Sequence, residues 1–165
     1  NGDAYGKAQI DAGTFNVGGS FIGRDDSFPV DTESIYMPPT QETDIINANN
    51  GATINIAGNV QMSNDAAMKK GIINASGEST VINIGKESNA TINIIDNASV
   101  TIGGNQNSDA TVDGEYSSLT IGKDMTSTEF NSTTLTITNG GSVEIGGNID
   151  SEINASQGSD RKSVV

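Results

Sequence analysis

The sequence predicts an all-β protein built as a parallel β-helix of about six to eight short coils. Three observations favour this fold. A phrase of alternating aliphatic and polar residues, such as Thr53–Gly58, recurs along the chain and ends in glycine or a polar turn. The phrases follow one another at nearly constant spacing. Only 33% of the 165 residues are hydrophobic and 4% aromatic, which suits a thin column of stacked aliphatic side chains.

The spacing of the phrases indicates the length of one coil. Successive phrases end on apolar residues 7 to 10 positions apart, about 8.6 on average. Two such units give a coil of roughly 17 residues, and three give roughly 26. We favour three sides, because the 28 residues from Ile56 to Ile84 pass through the apolar Ile73. The phrase ends counted are Ile84, Ile94, Ile102, Val112, Ile121, Phe130, Ile137, Ile145 and Ile153.

Within each phrase the alternation assigns residues to faces. In Thr53–Ile56 the isoleucines share the predicted inner face, while Thr53 and Asn55 share the outer face. Stacked outer Thr, Ser and Asn side chains are expected to form hydrogen-bonded ladders along the coils. The glycines after the strands are expected at corners that need positive φ. Four asparagines are expected at similar corners, because Asn tolerates left-handed backbone: Asn97, Asn105, Asn139 and Asn148.

The first 50 residues differ from the remainder. They hold all three prolines and five of the seven aromatic residues. We therefore divide one structural unit into residues 1–50, with the first coil or coils and a Pro- and aromatic-containing loop or cap, and the repetitive residues 51–165. The solenoid is expected to begin at Gly13–Gly19, and residues 27–44 to leave the stack as a loop. Residues 65–71 are expected to form a single helical turn.

An antiparallel β-sandwich is the alternative fold, since it also uses short alternating strands. Asn50-Gly51 and Asn139-Gly140 fit the tight hairpin turns that such a fold requires. Most of the other corners do not, which favours the parallel arrangement.

Composition narrows the classes of function. The net charge of −13 argues against nucleic acid and anionic membrane surfaces as partners. The chain has no His and no Cys, so it lacks the usual general base and the commonest metal ligands. No apolar run reaches the roughly 18 residues that span a bilayer. We therefore expect no cofactor, no metal site, no membrane insertion by this segment and no catalytic residues.

Candidate ligand contacts lie in the early loop, where a charged cluster is followed by aromatic residues. They are Arg24, Asp25, Asp26, Phe28 and Tyr36. Other acids, such as Asp96, Asp109, Asp113, Asp124 and Asp150, are expected at scattered corners. Five Asn-x-Ser/Thr triplets, at Asn74, Asn89, Asn97, Asn131 and Asn154, are interpreted as chance in a chain rich in these residues.

Two phrases resemble a known class of solenoid. Asn89–Ile94 and Gly140–Asn148 look like passengers of bacterial type V secretion, namely autotransporters and filamentous haemagglutinin-like adhesins. The resemblance covers about residues 51–156 and is one of compositional style. It implies a right-handed β-helix, secreted and displayed on the bacterial cell surface, here as a fragment of a longer passenger. It supplies no site residues that can be carried over.

The sequence therefore predicts a non-catalytic adhesin fragment that mediates cell adhesion, self-aggregation or biofilm formation and contributes to virulence. Its partner would be a glycan or protein on a host or neighbouring cell, or another copy of itself. The alternatives are a carbohydrate-active β-helix enzyme, a structural fibre of a phage or surface layer, and an ice-binding solenoid. Three or more acids lined up in one groove would favour the enzyme. A regular Thr array would favour ice binding, but only residues 134–138 alternate Thr in this way.

Overall fold

A computed structural model describes residues 2–23, 43–62, 71–127, 132–156 and 160–163. Within these ranges the protein has 19 short β-strands and no helix. The strands are β1 Ala4–Gly6, β2 Ala8–Ile10, β3 Thr14–Val17, β4 Phe21–Gly23, β5 Thr43–Asn49, β6 Thr53–Ile56, β7 Val60–Met62, β8 Gly71–Ser76, β9 Val81–Ile84, β10 Thr91–Ile95, β11 Ser99–Ile102, β12 Ala110–Asp113, β13 Ser118–Ile121, β14 Met125–Thr126, β15 Thr134–Thr138, β16 Ser142–Ile145, β17 Ile149–Asp150, β18 Glu152–Ala155 and β19 Asp160–Ser163.

The strands form three parallel stacks. Sheet 1 runs β2-β5-β8-β10-β12-β15-β18, and sheet 2 runs β3-β6-β9-β11-β13-β16-β19. Sheet 3 contains β1-β4-β7 and β14-β17, which are joined by single-residue bridges at Ser88 and Gln106. The chain visits sheets 1, 2 and 3 in the same cyclic order, and every pairing between described strands is parallel. These stacked sheets confirm the parallel solenoid class, and the antiparallel sandwich is wrong. The hand of the coil stays a prediction.

The length of a coil differs from the one we favoured. Val81 pairs with Ser99, and Ser99 pairs with Ser118, so these coils advance the chain by 18 and 19 residues. The 28-residue interval from Ile56 to Ile84 is also one coil, because these two residues are paired. It is longer because it includes residues 63–70, which lie outside the described ranges. Three sides are present, but the 26-residue coil is wrong for the regular part of the stack.

The reason is that the counted phrases in the described part of the chain belong to two sheets only. Ile84, Ile102 and Ile121 lie in sheet 2, and Ile94 and Val112 lie between them in sheet 1. The third side carries no aliphatic phrase in the regular coils. In these coils the third side is reduced to one bridging residue, Ser88 in one coil and Gln106 in the next. Both residues are polar.

In-register columns of aliphatic side chains form the core. In sheet 2 the inward positions stack Ile54 on Ile82 and Val100, and the next inward position stacks Ile56 on Ile84 and Ile102. These side chains are at most 2% exposed. β-Branched residues suit such columns because they pack well on a pleated sheet. The predicted inner and outer faces are therefore confirmed for the described phrases.

Positive φ is concentrated at the corner between sheets 1 and 2. There Asn50 and Gly51 have φ of 52° and 80°, and Asn139 and Gly140 have 49° and 85°. Asn97 also has positive φ, so the prediction of left-handed backbone is confirmed for Asn97 and Asn139. The glycines that follow sheet 2 serve a different need. A Cβ on Gly103 would lie 2.5 Å from the carbonyl oxygen of Gly85 in the preceding coil, so close stacking excludes a side chain.

The first strand begins at Ala4, whereas the solenoid was expected to begin at Gly13. Two short segments before Gly13, each with an alanine facing inward, already pair with the next coil. Asn105 and Asn148 are not in the positive-φ set, so that prediction is wrong for both. The predicted helical turn lies outside the described residues except for Gly71, which begins β8. In the described ranges no helix is long and apolar enough to cross a membrane.

We predict that Ile102→Ala will destabilise the fold by about 2–5 kcal/mol. Ile102 is fully buried and stacks between Ile84 and Ile121, so truncation leaves a cavity that two coils share. Urea denaturation measures the effect. The adjacent exposed Thr101→Ala is the matched control and should change stability by less than about 0.5 kcal/mol. Equal losses in the two variants would contradict the assignment of faces.

Candidate functional site

The ligand-contact residues predicted from sequence, Arg24, Asp25, Asp26, Phe28 and Tyr36, lie outside the described residues. The structure does fix where their segment joins the stack. Gly23 ends β4 in sheet 3, and Thr43 begins β5 in sheet 1. Residues 63–70 and 128–131 likewise connect a strand of sheet 3 to a strand of sheet 1. In all three cases the described strand before the segment belongs to sheet 3 and the one after it belongs to sheet 1.

A ladder of asparagines runs along the outer face of sheet 2. Asn55 Nδ2 donates to Asn16 Oδ1 at 2.8 Å, and Asn83 Nδ2 donates to Asn55 Oδ1 at 2.8 Å. The backbone register places these three residues directly above one another. Later coils continue the same column with Thr101, Thr120 and Glu144. The ladder predicted from the outer face is confirmed here as a hydrogen-bonded chain.

A second ladder occupies the outer face of sheet 1. Asn74 Nδ2 donates to Asn47 Oδ1 at 2.7 Å, and Asn93 Nδ2 donates to Asn74 Oδ1 at 3.0 Å. Thr111 follows in register. A shorter chain lies where sheet 3 meets sheet 1, with Asn107 Nδ2 donating to Asn89 Oδ1 at 2.8 Å. Two Asn-x-Ser/Thr triplets thus contribute their asparagine to ladders.

The corner between sheets 2 and 3 uses side-chain oxygens in another way. Asp124 Oδ1 accepts the backbone N–H of Asn148 at 2.7 Å, and the Asp124 N–H donates to Asn105 Oδ1 at 3.2 Å. The same kind of hydrogen bond, from a backbone N–H to a side-chain oxygen of the preceding coil, joins Ser20 to Asp3, Asn59 to Ser20 and Glu87 to Asn59. This hydrogen bonding is the role of Asn105, for which the sequence analysis had expected a left-handed backbone.

A shallow groove of about 410 Å³ lies beside the sheet 2 ladder. One side is formed by the outward residues of four successive coils, Asn16, Asn55, Asn83 and Thr101. The other side is formed by the small residues that follow these strands, which are Gly18, Ala57, Gly85 and Gly103. The groove exists because close coil stacking keeps this second column free of large side chains. The remaining lining residues are Val17, Ile56 and Ile84.

The groove offers mainly apolar contact, and the amide groups along one side of it already take part in the ladder. Its lining contains amide and hydroxyl side chains but no acidic or basic residue. Repetition of one group per coil places equivalent donors and acceptors about 4.8 Å apart along the solenoid axis. Such a surface suits an extended ligand with a regular repeat of hydroxyl or amide groups.

Comparison with protein-family models, with curated proteins and with solved structures finds no match for this chain.

The acids predicted at corners are spread over the structure. Asp96 lies between sheets 1 and 2, Asp109 precedes β12, and Asp124 lies between sheets 2 and 3. Asp113 and Asp150 differ from the prediction, since each is the last residue of a strand. Asp113 Oδ1 accepts hydrogen bonds from Thr138 and Asn139, which ties two coils together. Among the described residues no three His, Cys, Asp or Glu side chains are grouped as a metal site requires.

Thr134, Thr136 and Thr138 occupy the outer face of a single strand, β15. The register neighbours of this strand include Asp113 on one side and Glu152 on the other. The Thr array is therefore one strand wide in the described sheet. A broad flat Thr surface, which the ice-binding alternative needs, is not formed by these described strands.

The groove was not predicted from the sequence, although its signal is present there. In the strands of sheet 2 from β3 to β16, the last aliphatic residue is followed by Gly or Ala, as in Ile56-Ala57 and Ile84-Gly85. We interpreted these small residues as turns only. Their alignment into one column needed the coil length, which the spacing alone did not give.

We predict that Asn55→Ala will lower the free energy of unfolding by about 1–3 kcal/mol, because Asn55 is both a donor to Asn16 and an acceptor from Asn83. Urea denaturation again provides the measurement. Thr120→Ala is the control, since Thr120 occupies the same column and its hydroxyl has no hydrogen-bond partner among the described residues. A stability loss no larger than that of Thr120→Ala would contradict the ladder.

Asp11 provides a prediction on pH. Hydrogen bonds from Gln9 Nε2 at 2.8 Å and Asn49 Nδ2 at 3.2 Å hold the pKa of this carboxyl below its ordinary 3.8. A group with a lowered pKa stabilises the fold above its ordinary pKa, and this contribution is lost as pH falls through the lowered value. We expect Gln9→Ala to raise the pKa of Asp11, as followed by the NMR carboxyl shift. An unchanged titration would contradict the hydrogen bond as the cause.

Proposed function

We propose that the chain is a non-catalytic adhesive module of a bacterial surface protein, and that the groove beside the sheet 2 ladder binds an extended, uncharged glycan chain. The observation that carries the proposal is the groove itself. It combines a row of amide and hydroxyl groups with a row of small residues over four coils. The resemblance of the repeat phrases to type V secreted passengers supports the cell-surface setting.

The chemistry of the groove favours a neutral ligand over a charged one. The net charge of −13 repels polyanions, and the lining has no charge with which to hold a polycation. Hydroxyl groups can pair with the Asn and Thr side chains as both donors and acceptors. The small residues leave room for a ring to lie against the backbone and the edges of the adjoining aliphatic side chains. A glycan offers both kinds of contact in every repeat.

Rigidity supports the same function. The ladders and the buried columns hold the binding groups at fixed intervals before a ligand arrives. A preorganised surface loses less conformational entropy on binding than a flexible one. Each contact is weak, so useful affinity depends on several coils binding the same chain simultaneously. The groove meets this requirement because equivalent groups repeat from one coil to the next.

The test uses a glycan array with the purified chain and two matched double variants. Asn83→Arg with Thr101→Arg places two large cations in the groove. Asn93→Arg with Thr111→Arg makes the same change at equivalent ladder positions of sheet 1. We expect the groove variant to lose glycan binding at least about tenfold, equivalent to about 1.4 kcal/mol, while the sheet 1 variant retains it.

The outcomes separate the possibilities. Equal loss in both variants would contradict the groove as the site. Failure of the unmodified chain to bind any glycan, together with failure to promote cell aggregation, would contradict the adhesive function. Aggregation without glycan binding would indicate self-association as the adhesive mode. Binding through uncharged hydrogen bonds should also persist as salt is raised, because screening acts on charged pairs.

A further inference from the structure

The amides of the sheet 2 ladder keep part of their hydrogen-bonding capacity. A primary amide has two N–H donors and two acceptor lone pairs. Asn55 uses one N–H to donate to Asn16 and one lone pair to accept from Asn83. These are its side-chain hydrogen bonds in the part of the chain that the structure describes, so one N–H and one lone pair remain. A ligand can therefore both donate to the ladder and accept from it.

The outward position beside the ladder is open on sheet 2 and filled on sheet 1. It lies two residues after the ladder residue and points to the same side. On sheet 2 it carries small residues, namely Ala57, Gly85 and Gly103. On sheet 1 it carries larger residues in register with one another, namely Asn49, Ser76 and Ile95. The two sheets thus carry the same amide ladder beside different neighbours.

The open column is apolar, and the stacking of the coils keeps it open. A Cβ on Gly85 would lie 2.6 Å from the carbonyl oxygen of Ala57, so no larger side chain fits there without a shift of the backbone. The lining also includes Ile56 and Ile84. A hydroxyl group of a ligand finds few partners in this column, whereas a methyl group placed there is removed from water, which is favourable.

We propose that the groove selects glycans whose sugars carry an acetamido group. This inference rests on the glycan binding proposed above for the same groove. An acetamido group combines one N–H, one carbonyl and one methyl group. In a trans amide the N–H and the carbonyl point in opposite directions. The N–H can therefore donate to Oδ1 of one ladder residue while the carbonyl accepts from Nδ2 of its neighbour, such as Asn55 and Asn83. The methyl group then lies over the small-residue column.

The spacing of the ladder suits this contact. Amides that hydrogen-bond to one another along a stack repeat at about 4.8 Å, which is the distance between successive coils. The acetamido group is thus bound in the same way as the ladder asparagines bind one another. A hydroxyl group in the same place would leave both the apolar column and one of the two amide contacts unused.

Charge restricts the ligand further. A sugar with a free amino group is a cation near neutral pH and lacks both the carbonyl and the methyl group. The groove lining has no acidic residue to hold this cation. A polymer with carboxylates is repelled by the net charge of −13. The class of ligand is therefore a neutral, N-acetylated amino-sugar polymer.

The experiment compares three β-1,4-linked oligosaccharides of equal length that differ only in the group on carbon 2: acetamido, amine or hydroxyl. Calorimetric titration of the unmodified chain at raised salt measures affinity without long-range attraction of the amine. We expect the acetamido oligosaccharide to bind at least about tenfold more tightly than the other two, since it gains an amide hydrogen bond and a methyl contact. A fourth ligand, an acetamido polymer with a carboxylate on every second sugar, should bind more weakly than the neutral one.

The results separate this inference from the function on which it rests. Equal affinity for the acetamido and hydroxyl ligands would overturn the acetamido selection and leave the glycan-binding groove in place. Binding of none of the ligands would overturn the selection, and only failure on the whole glycan array would overturn the groove as well. Equal affinity for the neutral and the carboxylated acetamido polymers would overturn the restriction to neutral ligands.

NMR of the side-chain amides locates the contact. On titration with the acetamido oligosaccharide, the Nδ2 signals of Asn55 and Asn83 should shift, whereas those of Asn47 and Asn93 in the sheet 1 ladder should not. Equal shifts in the two ladders would contradict the role of the small-residue column.

A pair of variants tests the column itself. Ala57→Met covers the small-residue column with a long side chain at an exposed position and should weaken binding of the acetamido oligosaccharide at least about tenfold. Ser76→Met makes the corresponding change on sheet 1 and should leave the affinity unchanged. Unchanged affinity in Ala57→Met would overturn the placement of the methyl group. If either variant does not fold, the comparison of ligands on the unmodified chain still decides the matter.

Discussion

In-register stacking of parallel coils is the constraint on which the rest of this structure depends. Neighbouring strands are only about 4.8 Å apart, so each side chain lies directly against its equivalent in the coils before and after. A position is therefore acceptable only if copies of its side chain can stack. Isoleucine meets this condition in the core, asparagine meets it on the outer faces by hydrogen bonding to itself, and glycine meets it where a backbone carbonyl lies too close for any side chain.

The candidate binding surface follows from the same constraint. The sheet 2 ladder and the small-residue column are two positions of one repeat, separated by a single buried aliphatic residue and repeated through four coils. Neither column would form a groove alone. The ladder alone would leave a flat polar surface, and the small residues alone would leave only exposed backbone. Together they make a groove whose polar side is repeated at the interval of the coils. The function we propose is thus a property of the repeat rather than of one specialised loop.

Much of this architecture could be predicted from the sequence, and the failures have physical causes. The Ile-Asn-Ile phrases gave the strand class, the inner and outer faces and the ladders, because alternation in a strand is a local property. The length of a coil was misjudged because sheet 3 shrinks to Ser88 and Gln106, which carry no hydrophobic signal. The two roles of glycine were not separated either, because the sequence does not show whether a glycine answers a need for positive φ or for close approach. The groove required the coil length and so could not be predicted without it.

The asparagine ladders also give the solenoid a direction. In all five amide-to-amide bonds of the three ladders, Nδ2 of the later coil donates to Oδ1 of the earlier one. Five amide dipoles therefore point the same way along the axis, with their positive ends towards the first coils, and hydrogen bonds aligned in this manner polarise one another. Each outer face therefore presents a different arrangement of donors and acceptors in the two directions along the solenoid axis. A long polymer with its own polarity should lie along such a face in one orientation rather than in both.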